Sequence, residues 1–377
     1  GVWTMARRIT AFVAGLVCVL MACTLDAQER FGSVAGTVTD SSDAAVPGAT
    51  VTATNKESNA TRVVVSAADG TYRINDLTPG RYSISIELAG FQKVVVDDLI
   101  VLLGRTLTAD AQLRPGVVSE VVNVTADATK QLDLSSVTLA TNVTSEEIDR
   151  IPKGRSFQSI ALAAPGVNYG EIEGGFQVNG ASSAENSFTI DGVAINSLIY
   201  GSSRQNTVFE YLQEVQVKTG GIDAEYGGAL GGVISAVTKS GGNLFTGEGH
   251  YYYIGNALSA GPVQRLVLDP NDLATVGYFQ DDKQVNNQSE FGGSVGGPIV
   301  RNRLFFFTSI SPRIIRRTND YLFSAGTEPG TIDQEQTQWQ GFGKVTYSAA
   351  KVTANGSLLM TPPRSTGRLP AYDSAGT

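Results

Sequence analysis

Hydrophobic and polar residues alternate along most of the chain, and this alternation predicts β-strands. In the first third, seven short alternating runs are separated by turn-forming pairs at Pro47-Gly48, Asp69-Gly70 and Pro79-Gly80. Short strands with a turn about every ten residues are typical of a β-sandwich. The predicted strands are Ser33–Thr39, Thr50–Thr54, Thr61–Ser66, Thr71–Ile74, Arg81–Leu88, Val94–Ile100 and Leu107–Leu113.

The segment from Glu210 to Phe245 organises the middle of the chain. It begins with a strand-like alternation, turns through the glycine-rich run Gly227–Gly232, and continues into a second apolar run. A hairpin turn is the plainest interpretation of a glycine-rich segment between two strands. A phosphate-binding loop is excluded, because that motif needs a glycine directly before Lys239 and Thr238 stands there.

Two short helices are predicted before this segment. Thr144 and Glu147 have the spacing of a capping box, which indicates a helix beginning there. A second helix is predicted over Ser156–Ala163, ended by a Pro-Gly pair. Two further strands, Phe176–Gly180 and Phe188–Val193, complete a mixed α+β region.

After Asn243 the strands become aromatic-rich and amphipathic. Two polar segments, Ala257–Asn287 and Arg316–Gln334, are predicted as long loops, and Val300–Arg303 as a tight turn. Long loops alternating with short turns are typical of outer-membrane β-barrels. The predicted strands are Leu244–Asn256, Ser289–Ile299, Leu304–Arg313, Gln336–Ser348 and Val352–Thr361.

The middle of the chain resembles the plug domain of TonB-dependent outer-membrane receptors. The positions that match the plug motif are Asp191, Gly192, Glu225, Tyr226, Gly227, Gly231, Gly232, Thr238, Lys239, Ser240 and Gly241. The resemblance implies structural roles for these residues, in turns and in plug–barrel contacts. The family often has an arginine where this chain has Ala181–Ser183, so one plug–barrel salt bridge is in doubt.

The flanking regions carry resemblances of their own. The first predicted domain resembles the carboxypeptidase regulatory-like domain, a prealbumin-like sandwich with a carbohydrate-binding-like fold. The segment Phe291–Ile299, followed by Leu304–Phe307, resembles the start of the Oar-like barrel in TonB-dependent receptors. We interpret Tyr72, Tyr82 and Phe91 as core aromatics and not as sugar-stacking platforms. The motifs that carry the sandwich resemblance are Gly36–Asp40, Val46–Val51, Asp69–Tyr72, Leu77–Tyr82 and Ala89–Phe91.

A short β-prone segment between these regions resembles a TonB box, which receptors of this family offer to the periplasmic energy-coupling protein TonB. Such a segment needs to be extended and free of proline, so that it can add a strand to the edge of a partner's sheet. Two other interpretations remain open, a last strand of the sandwich and a plug strand. The candidate box consists of Glu120, Val121, Val122, Asn123, Val124, Thr125 and Ala126.

The N-terminus has the pattern of a secretory leader. From Met5, two arginines precede the apolar run Ala11–Ala22, which is shorter than the ~20 residues of a transmembrane helix. Cleavage is expected after Ala27, and a lipoprotein cleavage box at Leu20–Cys23 is the alternative. Both cysteines of the chain lie in this leader, so no disulfide framework is expected after cleavage.

The fold class is therefore mainly β: a prealbumin-like β-sandwich, then an α+β plug, then the first strands of a transmembrane antiparallel β-barrel. The expected boundaries are 1–27 for the leader, 28–115 for the sandwich, 116–127 for the linker with the candidate box, 128–242 for the plug and 243–377 for the barrel. About five strands leave an open edge, which is costly in lipid, and plugged barrels have about 22 strands. The sequence was therefore expected to be the N-terminal part of a longer protein.

Composition narrows the function. The net charge is −8 and only 17% of residues are charged, which gives no nucleic-acid footprint. His250 is the one histidine of the sequence, so a zinc enzyme and a Ser/His/Asp arrangement find no support, and no catalytic, cofactor or metal residues are assigned. The resemblance implies energy-coupled uptake at the cell outer membrane, with the sandwich and box in the periplasm. The implied partners are TonB, outer-membrane lipid and an unknown extracellular ligand. The alternative is an adhesion or structural protein that uses the sandwich as an interaction module.

Overall fold

A computed structural model describes residues 31–116, 121–125, 137–151, 154–170, 175–197, 203, 208–222, 226–268, 274–280, 283, 285–321, 330–349 and 352–367. The predicted leader lies outside these ranges. Within them, no helix is both long enough and apolar enough to cross a membrane.

The N-terminal region is a two-sheet sandwich, as predicted. One sheet has β1 at its centre, antiparallel to β4 and parallel to β7 and β8; the other has the order β3-β2-β5-β6-β9. Alternate residues of both sheets fill one apolar core, in which Val38, Val51 and Ile84 are fully buried. The strands are β1 (Gly32–Asp40), β2 (Thr50–Asn55), β3 (Thr61–Val65), β4 (Thr71–Leu77), β5 (Gly80–Glu87), β6 (Lys93–Val101), β7 (Thr106–Thr108), β8 (Ala111–Leu113) and β9 (Val121–Thr125).

The prediction of one strand over Leu107–Leu113 was wrong, because β7 and β8 are separate. Between them, the Ala109 carbonyl accepts a hydrogen bond from the Tyr72 hydroxyl at 2.5 Å. The Asp110 carboxylate accepts one from the backbone N–H of Thr37 at 2.8 Å. These two bonds interrupt the ladder, and the chain resumes its pairing with β1 further along.

The candidate box is a strand of the sandwich. Val121–Thr125 forms β9 and pairs in parallel with β6, with Val122 opposite Val94 and Val124 opposite Val96. The structure therefore shows the last strand of the sandwich, one of the interpretations that the sequence left open. Glu120 and Ala126 lie outside the described residues.

The middle region is a small α+β domain around a five-stranded sheet of order β10-β15-β16-β13-β14. The capping box is confirmed: the Thr144 side chain accepts from the Glu147 N–H, and the Glu147 carboxylate accepts from the Thr144 N–H. The predicted second helix is a 3-10 helix over Phe157–Ala163. The remaining elements are β10 (Leu139–Thr144), α1 (Ser145–Ile148), β11 (Val167–Tyr169), β12 (Phe176–Val178), a 3-10 turn (Ser183–Glu185), β13 (Ser187–Ile190), β14 (Val193–Ala194), β15 (Leu212–Gly220) and β16 (Val233–Thr238).

The last region is an antiparallel sheet whose described strands form five long rows. The first two rows are β17 and β20, and each later row consists of two strands joined end to end. Two of the breaks fall at Pro312 and Pro362, which lack the N–H that a ladder needs. The elements are β17 (Thr246–Ile254), a 3-10 turn (Asn256–Leu258), β18 (Arg265–Leu268), β19 (Val276–Phe279), β20 (Val285–Val300), β21 (Leu304–Ile310), β22 (Arg313–Tyr321), β23 (Gly330–Gln338), β24 (Gly341–Ala349), β25 (Val352–Met360) and β26 (Pro363–Thr366).

The two predicted loops were wrong in extent. Ala257–Asn287 contains the hairpin β18–β19, and most of Arg316–Gln334 belongs to β22 and β23. Between Arg316 and Gln334 the residues of these two strands are mostly polar, which hid them from the alternation rule. They are paired by Arg316 with Glu335 at 2.9 Å and by Thr318 with Asp333 at 2.6 Å.

The three regions are stacked against one another. Phe305 and Phe307 of β21 are buried, and Phe307 joins the core of the plug-like domain, whereas Ile310 at the end of the strand is exposed. The sandwich lies at the end of the rows that carries the short turns: Asn59 donates to Asn302, and Arg62 donates to the Ala349 carbonyl at 3.4 Å.

Candidate functional site

The turn at Asp191 and Gly192 is hydrogen-bonded to the end of β16. Asp191 and Gly192 both have positive φ, which turns the chain from β13 into β14. The Asp191 carboxylate accepts hydrogen bonds from the N–H of Thr238 at 2.9 Å and from its hydroxyl at 2.5 Å. Asp191, Gly192 and Thr238, three of the predicted motif positions, are therefore brought together.

A lysine from the barrel sheet completes this cluster. Lys344 of β24 is almost fully buried, and its Nζ lies 3.2 Å from Asp191 Oδ2 and 2.8 Å from Thr238 Oγ1. It also donates to the Thr238 carbonyl at 3.2 Å. Because Asp191 and Lys344 are 153 positions apart, no local sequence pattern predicts this contact.

The next motif residues form the passage from plug to barrel. Lys239 pairs with Glu248 of β17 at 3.1 Å, and Ser240 Oγ lies 3.4 Å from the Thr346 hydroxyl. At Gly241, a Cβ would lie 2.2 Å from the Phe306 carbonyl oxygen, so only glycine allows the backbone this close to β21. The motif Thr-Lys-Ser-Gly is therefore a seam between the two domains.

The glycine-rich turn of the motif packs inside the plug. The Gly232 N–H donates to Asn186 at 2.8 Å, and a Cβ there would lie 2.7 Å from Val178. Gly231 also approaches Asn186, and Gly227 is exposed. Nearby, the buried Nζ of Lys218 lies 4.5 Å above the Tyr226 ring. Glu225, another predicted position, lies outside the described residues.

A buried arginine forms a second set of ion pairs between plug and barrel. Arg155 pairs with Glu210 of the plug at 2.6 Å and with Glu290 of β20. Its guanidinium lies between two rings, 4.5 Å from the centre of Phe209 and 3.9 Å from that of Tyr252 on β17. Burial disfavours its charge, yet the two carboxylates outweigh this and hold the pKa of Arg155 above its ordinary value. Arg155 therefore makes a plug–barrel salt bridge from a position other than Ala181–Ser183, where the family's arginine is missing.

The same cluster contains a possible set of metal ligands. Ligand atoms of Glu210, His250 and Glu290 lie within 4.8 Å of one another. His250 Nε2 is 3.1 Å from the Ser311 hydroxyl. The Arg155 guanidinium lies against both carboxylates, so a cation there would have to displace it.

A third polar junction joins the sandwich to the plug. The Leu103 N–H, in the loop after β6, donates to the buried Glu214 carboxylate at 3.1 Å. The Leu103 carbonyl accepts from Asn142 at 2.9 Å and from Gln216 at 2.5 Å, and Asn142 also donates to Glu214. Burial raises the pKa of Glu214 to about 7, against the hydrogen bonds from Asn142 and Leu103, which lower it. We call Leu103, Asn142, Glu214 and Gln216 the sandwich latch.

The comparisons with known proteins match three domains in succession. Residues 33–114 match the carboxypeptidase regulatory-like domain, residues 133–233 the TonB-dependent receptor plug domain, and residues 237–370 an outer membrane β-barrel domain. The plug domain and the β-barrel domain are both domains of outer-membrane proteins, so the chain is assigned to the outer membrane.

A curated relative of this chain is a TonB-dependent transporter. The chain is 31% identical over 323 residues to the TonB-dependent transporter Oar of Myxococcus xanthus. The aligned region covers 82% of this chain and 29% of the relative. The chain thus spans less than a third of the length of the curated relative that it matches.

Two solved structures of outer-membrane proteins align with part of this chain. The outer membrane transporter YddB from Escherichia coli has a TM-score of 0.48 at 18% identity, covering 61% of this chain and 34% of that one. The siderophore receptor PirA from Acinetobacter baumannii has a TM-score of 0.41 at 17% identity, covering 63% and 34%. At this level of likeness neither structure indicates a ligand for this chain.

Proposed function

We propose that this chain, which carries the domain set of a TonB-dependent outer-membrane receptor, acts in the energy-coupled uptake of an extracellular ligand. The plug closes the barrel lumen, and ligand binds on the side of the long hairpins. The energy-coupling protein TonB engages the candidate box by strand addition and pulls on the plug, which opens a path to the periplasm. The chain supplies no catalytic step.

The observation that supports this proposal is the polar character of the plug–barrel contacts. Arg155 with Glu290, Lys344 with Asp191, and Lys239 with Glu248 all join plug or seam to barrel strands. Buried ion pairs add little net stability over apolar packing of the same volume, but they specify one arrangement. The ion pairs give the plug a defined closed position, in addition to the apolar contacts of Phe307 and Phe342 with its core.

Proline substitutions in the candidate box test the coupling step. Val122→Pro or Val124→Pro removes a backbone donor and fixes φ, so strand addition should fail. Uptake should be lost while ligand binding at the cell surface is retained. The matched control is Asn123→Ala, which keeps the backbone donor and should leave uptake nearly unchanged. Uptake that survives both prolines would place the coupling site elsewhere.

The same variants separate transport from adhesion. An outer-membrane adhesin that uses the sandwich as an interaction module has no need of TonB, so neither proline would alter its attachment. The ligand itself is best sought by growing a deletion strain on a panel of scarce nutrients. A nutrient whose use requires both this protein and an intact box would be the transported ligand.

A further inference from the structure

We infer that the sandwich stores the candidate TonB box as its own edge strand, so that coupling requires the box to be released first. This inference rests on the proposed function, since it concerns the regulation of the same segment. Its basis is a backbone register of five consecutive residue pairs between β6 and β9, from Lys93 opposite Val121 to Asp97 opposite Thr125.

The chain up to Gly116 is held beside the start of β6. The Gln92 N–H donates to the Arg114 carbonyl at 2.9 Å, and Phe91 and Pro115 form an isolated bridge. The Gly116 N–H donates to the Gly90 carbonyl at 3.1 Å. These contacts hold the chain beside the start of β6, and β9 then runs parallel to β6.

Without β9, strand β6 would have an exposed edge. On its other edge β6 pairs with β5, so without β9 the edge from Lys93 to Asp97 would have no strand beside it. This part of β6 is the apolar run Val94–Val96. An apolar edge strand left open is a template for pairing with another chain. The box therefore covers the edge of β6 in the same way that it would pair with a coupling protein.

The sandwich latch joins the loop after β6 to the plug. β6 ends at Val101, and two residues later the backbone of Leu103 is held by Glu214, Asn142 and Gln216 of the plug. The box is thus paired with a strand whose following loop is hydrogen-bonded to side chains of the plug. An added strand pairs either with the open edge of β9 or, in place of β6, with the edge that β6 occupies, and release of the box takes the second route.

A disulfide between β6 and β9 tests the inference directly. Val95 lies opposite Asn123, and both cysteines of the sequence lie within its first 23 residues. The pair Val95→Cys with Asn123→Cys is made in the full-length protein, which is then probed with the soluble periplasmic domain of TonB. The matched control is Ser85→Cys with Val95→Cys, which links β5 to β6 and leaves the box free.

The expected result is that the oxidised Val95–Asn123 pair is not captured by the TonB domain, that reduction restores capture, and that the control is captured in both states. Equal capture of the oxidised pair would overturn the inference, because the box would then be read from its open edge. A control disulfide that forms while the Val95–Asn123 disulfide does not would overturn the pairing and leave the proposed function standing. Failure of capture in every state, including the unsubstituted protein, would overturn the proposed coupling segment and the inference with it.

Discussion

The apolar cores of the sandwich and the plug differ in where their residues come from. The sandwich has a core of twenty buried apolar residues that all lie between Val34 and Leu113. The plug core includes Phe307 and Phe342 of the barrel sheet, and its boundary carries buried charges such as Glu290 and Lys344. The sandwich core is therefore self-contained, whereas the plug core is completed by residues of the barrel sheet.

The largest expected effect comes from removing the arginine between the two domains. Arg155→Met leaves Glu290 buried without its partner, which should destabilise plug docking by about 3–5 kcal/mol. The measurement is thermal unfolding in detergent, together with limited proteolysis of the plug. The control is Arg316→Met, whose partner Glu335 is exposed and whose loss should cost about 0–1 kcal/mol. Equal effects of the two substitutions would mean that the buried pair does not hold the plug.

The excised sandwich tests the other half of the comparison. Residues 31–125, which include β9, should fold alone, because the apolar core described for the sandwich takes no residue from another domain. Ile84→Ala should lower the free energy of unfolding by about 2–5 kcal/mol, since Ile84 is fully buried. Val63→Ala, at a side chain that is 59% exposed, should change it by less than about 0.5 kcal/mol. A non-cooperative denaturant transition of the excised domain would refute its independence.

The sandwich latch should respond to pH through Glu214. Its pKa is about 7 when docked, against an ordinary value of 4.5, so docking takes up a proton. Docking is then strongest below about pH 4.5 and weakens as the pH rises to 7, by about 1.4 kcal/mol per unit at most. Glu147 nearby raises the pKa of Glu214 and Arg105 lowers it, but burial is the largest cause.

Hydrogen exchange of the backbone amides of residues 101–105 measures this docking. Protection should fall between pH 5 and 7, after correction for intrinsic exchange, in the unsubstituted protein. Glu214→Gln keeps the shape of the side chain without its titration, so it should remove the pH dependence. A Gln variant with the same pH profile would assign the effect to another group.

The sequence predicted the parts of the fold that depend on local pattern. Turn pairs such as Pro79-Gly80 and the capping box at Thr144 specify their own geometry within a few residues, so the sandwich strands and α1 were predicted from short windows. The split between β7 and β8 was missed because the bonds that cause it come from Thr37 and Tyr72, far away in the chain.

The contacts across the domains could not be predicted in the same way. A polar residue on an amphipathic strand, such as Glu290 or Lys344, has the same appearance whether it faces water or a plug. Its role becomes visible only when the fold brings Arg155 or Asp191 beside it. The pairing of β9 with β6 was one of several interpretations, since a β-prone segment does not specify its neighbour.

Cysteine accessibility tests the central claim, that the plug rearranges while the sandwich stays folded. Ala236 in the plug and Ala53 in the sandwich are both buried small residues, at 1% and 0% exposure, and each is replaced by cysteine in turn. During active uptake, Ala236→Cys should be labelled by a periplasmic thiol reagent and Ala53→Cys should not. Without TonB, neither should be labelled. Uptake with Ala236→Cys still protected, or with Ala53→Cys labelled as readily, would contradict the account.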